Sequence, residues 1–466
     1  MKAVISLGSN LEPRAENLRE GLKRLCALPG TRLVFESKVR ETEPVDVPAM
    51  FESLKFLNQL AVFETSIEVH EFSRRMHAIE DEMGRVRIER NGPRNIDLDL
   101  IEFGDLTLDE PDLTLPHPRA AQREFVMEPL REYRTKKLAV GHFLNAPFQE
   151  ACAEFLPRIK EVFFAWPGVV SCRPSPDFMP EVRARMIADL KWARANGLEL
   201  DTLFNCNCYG DIAISHELEE LVHGVLREMD AEGLFPDTVT TTSPFVAKIL
   251  RRDFPSVKIR WSVNQRVHGS VGFEYVLEDF DSFYVSREHH RDLFYLQEVA
   301  RWARAHGKVI GMQVNSGCLR QCPYQTFHDN LHGHGASAQN QRGMKDFDFT
   351  YFLCKRTFAK PEHAEDFLRA TWIRPEDLRF YESHVDIVKL ATRRHPDPVA
   401  VLKAYATYSY RGDLAALMDP AHTFAKKFDN ESFSKSLLWE PVLHCRDVNN
   451  CKHCGKCAAL MKEVYK

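Results

Sequence analysis

The stretch "RNGPRNIDLDLIEFG" (residues 90–104) sets two aspartates, Asp97 and Asp99, among Ile96, Leu98 and Leu100. Successive side chains of a strand point to opposite faces, so the aspartates share one face and the aliphatics the other. Two adjacent carboxylates repel unless a cation joins them. Arg85, Arg87, Arg90 and Arg94 lie just upstream, and guanidinium groups are fixed cations suited to phosphate oxygens. Carboxylates for a metal and arginines for phosphates are the parts of a magnesium–nucleotide site. On spacing alone, a solvated strand edge with surface ion pairs satisfies the pattern equally well.

Cysteine supplies the second chemistry. Of twelve cysteines only Cys26 lies in the first 151 residues, and Cys445, Cys451, Cys454 and Cys457 fall in the last 22. With no export signal in view, such clustering favours metal or redox chemistry over disulfides. Cys318 and Cys322 directly follow the strand-like "KVIGMQVN", Cys206 and Cys208 end "LELDTLFNCN", and Cys354 ends "FDFTYFLC". Thiolates suit iron–sulfur clusters or zinc. Asn205, Asn207, Asn264 and Asn315 also lie at strand ends, where they can hydrogen-bond a ligand. The tail, Cys445-x5-Cys451-x2-Cys454-x2-Cys457, has metal-ligand spacing that fits a second cluster or a structural zinc; four unligated thiols are the bland alternative. His328 and His332, with His334 following, read first as a polar surface loop, and "REHHRD" (287–292) as a solvated helix start.

These residues need elements to position them. At 466 residues the chain is long enough for two or three domains. Its composition, 44% apolar and 28% charged with a net charge of −5, is globular and recommends neither general nucleic-acid binding nor a disordered acidic tail. No apolar run is long enough for a membrane span, and Gly8, Ser9 and Asn10 interrupt the opening run too soon for a signal peptide. A cytoplasmic location is the default expectation.

The opening 130 or so residues read as strand, helix, two strands, helix, strand: "KAVISLGS", a helix over 12–27, "TRLVFESKVR", "FLNQLAVFET", a helix over 66–83, and "NIDLDLIEF". That is the order of an α+β ferredoxin-like sandwich. The pattern weakens between Tyr133 and Arg158, which places a boundary near Ile159. Beyond it, strands "EVFFAW", "LELDTLFNCN", "DTVTTTS", "KIRWSVN", "SFYVS", "KVIGMQVN" and "VDIVKLAT" alternate with helices. Repeated βα units point to an α/β TIM-type barrel, with a doubly wound open sheet as the alternative. The expected division is 1–158, a barrel over 159–440 and a cysteine-rich C-terminal tail over 441–466.

"LGSNL" (7–11), "FLN" (56–58), "IEDEMGRVR" (79–87), "GPRNIDLDLI" (92–101) and "LPHPRAAQREFVMEPL" (115–130) occur in order with tight spacing. Together they resemble the 6-hydroxymethyl-7,8-dihydropterin pyrophosphokinase family (2-amino-4-hydroxy-6-hydroxymethyldihydropteridine diphosphokinase), which moves a pyrophosphoryl group from ATP to a pterin alcohol in folate biosynthesis. The resemblance covers roughly residues 1–135. It implies that Asp97 and Asp99 hold two Mg2+ ions with ATP. It implies that Arg85, Arg94, His117 and Arg123 contact the triphosphate, with Arg87 in a closing loop and Glu80 lining the nucleotide site. The pterin would stack between Phe56 and Phe125, with Asn58 and Thr42 on its edge. Aromatic faces for a flat heterocycle and fixed polar partners for its edge make physical sense of that division. Many relatives carry an aromatic residue where this chain has Asn91, so closure is expected to be looser.

"NCNCYGD" (205–211), "TSPFVAKILRRDFPSVKIRWSVN" (242–264) and the Cys318-x3-Cys322 segment resemble the collagenase-like peptidase family of iron–sulfur TIM barrels. The likeness spans about residues 160–415, and its cysteine spacing departs from the family's best-known members. It implies an iron–sulfur centre with redox or hydroxylation chemistry, and the strand-end cysteines Cys318, Cys322, Cys354 and one of Cys206 or Cys208 are the expected ligands of a 4Fe-4S cluster. A rival reading makes the second half a non-catalytic zinc-binding module for stability or partner docking. A divergent dihydropteroate synthase is a weaker rival, because that family's "NVTPDSF"-like and "GGESTRPG"-like segments are missing.

Overall fold

The computed structural model describes every residue except 45–48, 52, 86–91, 105, 136, 170, 172–178, 337–351 and 447–450. The chain divides into two compact units, Met1–Lys136 and Lys137–Lys466.

In the first unit β1 (Lys2–Ser9) is buried along almost its whole length, as expected of a central strand. It is followed by α1 (Arg14–Cys26), β2 (Thr31–Glu36), β3 (Arg40–Thr42), β4 (Phe56–Thr65), α2 (Val69–Glu82) and β5 (Asp97–Phe103). A short β6–β7 pair (Leu108–Asp109, Thr114–Leu115) and α3 (Glu124–Thr135) complete it. The main sheet has the order β2-β4-β1-β5, with antiparallel pairs throughout. That is the ferredoxin-like arrangement the element order predicts. Leu18 and Leu25 of α1 and Phe72, Met76 and Ile79 of α2 cover one sheet face, packed on Ile5, Leu7 and Leu98. Val126 and Leu130 of α3 cover part of the other, on Val4, Leu60 and Val62.

The second unit is a closed barrel of eight parallel strands. They are β8 (Leu138–Gly141), β9 (Ile159–Phe164), β10 (Glu199–Phe204), β11 (Thr238–Thr241), β12 (Lys258–Trp261), β13 (Ser282–Tyr284), β14 (Val309–Gln313) and β15 (Ile387–Leu390). β15 pairs with β8 and closes the ring, which rules out the open sheet. Helices between the strands carry their own start signals, with Ser215, Ser243, Asp292 and Asp397 accepting from the first turn they precede.

Two boundaries differ from expectation. The division falls near residue 136 and not 158, because β8 is a four-residue strand inside the stretch where the pattern weakens. The tail is not a separate piece either: Leu443, Leu460 and Val464 are buried in the same core as the barrel's Phe428 and Phe433. No helix among the described residues is long and apolar enough to cross a membrane.

Candidate functional site

The ladder of the first sheet builds the floor of a cavity. Gly8 pairs with Asn58 on one side and Asp97 on the other, and Ser6 pairs with Leu60 and Asp99. Small residues on β1 therefore leave open space between the polar ends of β4 and β5. Leu98 and Leu100 turn into the core, as the alternation requires. The cavity above is lined by Thr42, Phe56, Asn58, Arg94, Asp97, Asp99, Arg123 and Phe125.

Each carboxylate is met by guanidinium. Arg94 Nη2 and Arg85 Nη2 both lie 2.7 Å from Asp97, and Arg123 Nη1 lies 2.9 Å from Asp99 Oδ2. Arg85 also pairs with Glu80. Burial and the neighbouring Asp97 charge push the Asp99 carboxyl above the usual carboxylate range, against the pull of His117 and Arg123. Burial likewise lowers His117, with Asp99 opposing. Two neighbouring carboxylates that raise each other's proton affinity are ones that a hard cation would relieve, so the donor set fits magnesium. On the other wall, Arg94 lies over the Phe56 ring at 5.1 Å and Arg123 over Phe125 at 5.8 Å. Asn58 Nδ2 donates to Thr42 Oγ1 at 2.7 Å, fixing a polar edge beside Phe56.

Two expected residues are placed differently, and two are not described. Glu80 is buried with its carboxylate turned inward, accepting from the Leu98 N–H at 2.7 Å, so it positions Arg85 and β5 and does not face the cavity. His117 is half-buried near Asp99 and is not among the residues that line the cavity. Arg87 and Asn91 lie outside the described residues.

Residues 4–135 match the family described as 7,8-dihydro-6-hydroxymethylpterin-pyrophosphokinase. A pyrophosphokinase of that class from Pseudomonas aeruginosa is 37% identical over 131 residues, 28% of this chain and 79% of the relative. The chain belongs to the 7,8-dihydro-6-hydroxymethylpterin-pyrophosphokinase family. The Bacillus subtilis pyrophosphokinase is 35% identical over 130 residues, 28% of this chain and 76% of the relative. The "Folic acid synthesis protein fol1" of Schizosaccharomyces pombe is 34% identical over 152 residues, covering 32% of this chain and 20% of that much longer protein. Membership in the pyrophosphokinase family rests on the first unit alone. Among solved structures, the "U32 Peptidase Mk0906" is 14% identical with a TM-score of 0.38, covering 55% of this chain and 91% of that one. Plasmodium falciparum HPPK-DHPS gives 11% identity and a TM-score of 0.29, over 87% of this chain and 97% of that chain.

The pyrophosphokinase motifs end before the barrel, whose mouth holds a second polar cavity. Asn205, Asn264, Gln313, Cys318, His328 and Lys389 are among its lining residues. His328 is thus part of the barrel mouth and not a free surface loop; the His332 side chain lies outside the described set. Asn315 is a staple: Oδ1 accepts from Ala391 N–H at 2.8 Å and Nδ2 donates to Leu417 O at 3.2 Å. Asn207 Nδ2 donates to Asn264 O at 3.3 Å.

The cysteines fall into three places. Cys206 is buried, its Sγ 2.7 Å from Cys208 O, and faces Gly333, where a Cβ would come within 2.2 Å of that sulfur. Cys208 Sγ lies 3.9 Å from His334 Nδ1. Cys318 receives Arg287 Nη1 at 3.7 Å. Cys354 lies on the helix Leu353–Phe358, and burial, with the Cys318 and Cys322 charges beside it, pushes its thiol up to about 12. Cys445, Cys451, Cys454 and Cys457 line a third, small cavity. Among the described residues, three ligand atoms lie within 4.8 Å of one another only at Glu219, His223 and Asp253, where Arg252 already pairs with both carboxylates.

"REHHRD" is not a solvated helix start. His290 and Arg291 are buried, and Arg287 lines the barrel mouth, because the segment follows β13 at the end of the barrel where the loops converge. Sequence reasoning also missed the barrel's interior ions. Arg260 Nη1 lies 2.6 Å from Glu161 and 3.0 Å from Asp201, and its Nη2 donates to Glu161 at 2.9 Å. Lys389 Nζ lies over the Phe163 and Tyr284 rings at 4.1 and 4.7 Å, and burial lowers it to about 8. The signal was a charged residue, Glu161, Asp201, Arg260 or Lys389, within each of four barrel strands.

Proposed function

We propose that the first unit transfers a pyrophosphoryl group from ATP to 6-hydroxymethyl-7,8-dihydropterin, the folate-pathway reaction of the family. The observation that carries this reading is that the Asp97–Asp99 pair and its arginines open on the same cavity as Phe56, Phe125 and the Asn58–Thr42 edge. Phosphates and a flat heterocycle therefore meet at one place.

Asp97 and Asp99 would hold the two magnesium ions, whose charge neutralises the triphosphate when they are bound. The chain's own groups do the rest. Arg94 and Arg123 are within reach of phosphate oxygens from the positions they hold on the carboxylates. Glu80 and the β5 backbone fix Arg85 beside Asp97. Phe56 and Phe125 supply faces for the pterin, and Asn58, held by Thr42, supplies its polar edge. The pterin hydroxymethyl oxygen attacks the β-phosphorus and gives up its proton to solvent, the bond from that phosphorus to the bridging α-phosphate oxygen breaks, and AMP leaves with that oxygen. Alignment and charge neutralisation account for most of such a transfer. Stoichiometric AMP formation with pterin consumption tests it; ADP as product would overturn it.

For the barrel we infer a cysteine-bound iron–sulfur centre, 4Fe-4S in type, on Cys318, Cys322, Cys354 and one of Cys206 or Cys208. The shared surroundings of Cys318, Cys322 and Cys354 support it, as does the polar cavity into which Cys318 opens. A catalytic role in redox or hydroxylation chemistry follows from a redox-active centre there. A zinc-stabilised, non-catalytic module is the competing reading. Iron and zinc content of anaerobically purified protein separates the two, and a cluster content unchanged by serine at Cys318 and Cys322 would rule out the ligand set.

A further inference from the structure

Arg291 presents an unusual electrostatic situation. Its guanidinium is buried, Nη2 donates to Leu368 O at 2.7 Å, and Nε and Nη1 have no hydrogen-bond partner among the described residues. No carboxylate lies within ion-pair distance among the described residues; its neighbours are the indole rings of Trp372 and Trp439 at 5.5 and 5.8 Å. A desolvated cation with two idle N–H donors is costly unless an anion faces it. The cavity it lines holds Cys445, Cys451, Cys454 and Cys457, with Arg320 and Arg369. Thiolates around a metal are the only anion those side chains can make.

Sulfur spacing bears on which metal the four cysteines fit. One tetrahedral zinc holds its thiolates about 3.8 Å apart, given Zn–S bonds of about 2.3 Å. No three of these sulfurs lie within 4.8 Å of one another. A four-iron cluster fills the space between its ligands and keeps them farther apart. It also carries net negative charge with four thiolates, and its sulfurs accept N–H donors that tune its potential.

We propose that the tail cavity binds an iron–sulfur cluster through Cys445, Cys451, Cys454 and Cys457, and that Arg291 is its buried counter-cation and hydrogen-bond donor. The centre is separate from the one inferred at the barrel mouth, and its presence does not depend on that centre or on pterin chemistry. Arg291 is a positioning residue: its charge favours the reduced, more negative cluster, so it raises the midpoint potential.

The test uses the full chain, reconstituted anaerobically with ferrous iron and sulfide, with iron, acid-labile sulfide and zinc counted per chain. Cys454 is exposed, so Cys454→Ser leaves the core intact; paired with Cys451→Ser it is expected to remove about four irons. The Cys318→Ser, Cys322→Ser variant is expected to keep the tail's share, which distinguishes failure of the barrel centre from failure of this one. Redox titration followed by EPR is expected to give a more negative midpoint in Arg291→Gln, restored at least in part by Arg291→Lys. Should Arg291→Gln not fold, Arg320→Gln at the same cavity is expected to lower the potential in the same direction. Iron and sulfide unchanged in the tail variant, or stoichiometric zinc lost with Cys451 and Cys454, would overturn the site. Unchanged potentials would overturn the role of the arginine.

Discussion

Gly8 stands directly opposite Asp97 in the β1–β5 ladder, and its missing side chain is what leaves room above the carboxylates. A Cβ at Gly8 would come 3.1 Å from Asn58 Oδ1 and 3.8 Å from Asp97 Cβ. Gly8→Ala therefore crowds the polar edge more than the carboxylates. The expected outcome is a rise in KM for the pterin of about tenfold, equivalent to about 1.4 kcal/mol, with KM for ATP changed much less. Steady-state kinetics with each substrate varied in turn checks the split.

Asp99→Asn should separate charge from shape at the same site. The side chain keeps its size and its place opposite Ser6, but a neutral amide no longer attracts a divalent cation. Turnover is expected to fall on the order of 10³-fold, with a raised magnesium requirement and an unchanged melting temperature. Magnesium titration of the rate, beside a thermal melt, measures both.

Inside the barrel, Arg260 balances Glu161 and Asp201, all three buried. Removing one partner of a buried ion set leaves the others uncompensated. Arg260→Met is expected to destabilise the barrel by about 3–5 kcal/mol, read as a lower denaturant midpoint for the barrel transition. The first unit's pyrophosphoryl transfer gives an internal control and should persist.

Acid should loosen the barrel before its carboxylates titrate as a class. Burial lowers His290 to about 3, with Arg287 and His289 adding to the effect and Val285 O opposing it. Burial also lowers His422 to about 4, against its bond to Gly317 O, with Lys355 lowering and Asp419 raising. Both stay neutral when folded, so their stability contribution is whole above the unfolded histidine pKa of about 6.5 and is lost as pH falls toward those values. At pH 5 the loss is about 2 kcal/mol for each. Asp201, raised to about 6 by burial, works in the opposite sense, because its stability contribution is present below the unfolded aspartate pKa and lost as pH rises through 6. Two histidines outweigh one aspartate, so urea midpoints for the barrel should fall between pH 6.5 and 5 and recover in part in His422→Gln.

How much of this could be read from the chain differs between the halves. Alternation in "NIDLDLI" places Asp97 and Asp99 on one face because one strand face is buried and the other is not, and the structure keeps that division. Local motifs also suffice for Arg94, Arg123, Phe56 and Phe125, which line one cavity as the family likeness implies. Seven of the barrel strands are legible as short runs rich in apolar and β-branched residues that alternate with helices. The eighth, β8, has four residues and no periodicity to show. Long-range pairing is a different matter: Arg260 and Glu161 are 99 residues apart, and nothing local says that one charged residue will find the other inside a barrel. For the same reason "REHHRD" reads as polar surface until the barrel folds around His290 and Arg291.

The measurement that bears most directly on the central claim is a product analysis of the full chain with magnesium, ATP and 6-hydroxymethyl-7,8-dihydropterin, run beside Asp97→Ala. The account expects AMP and the pterin diphosphate in equal amounts from the wild type and neither from the variant. ADP in place of AMP, or near-normal turnover without the Asp97 carboxylate, would contradict it.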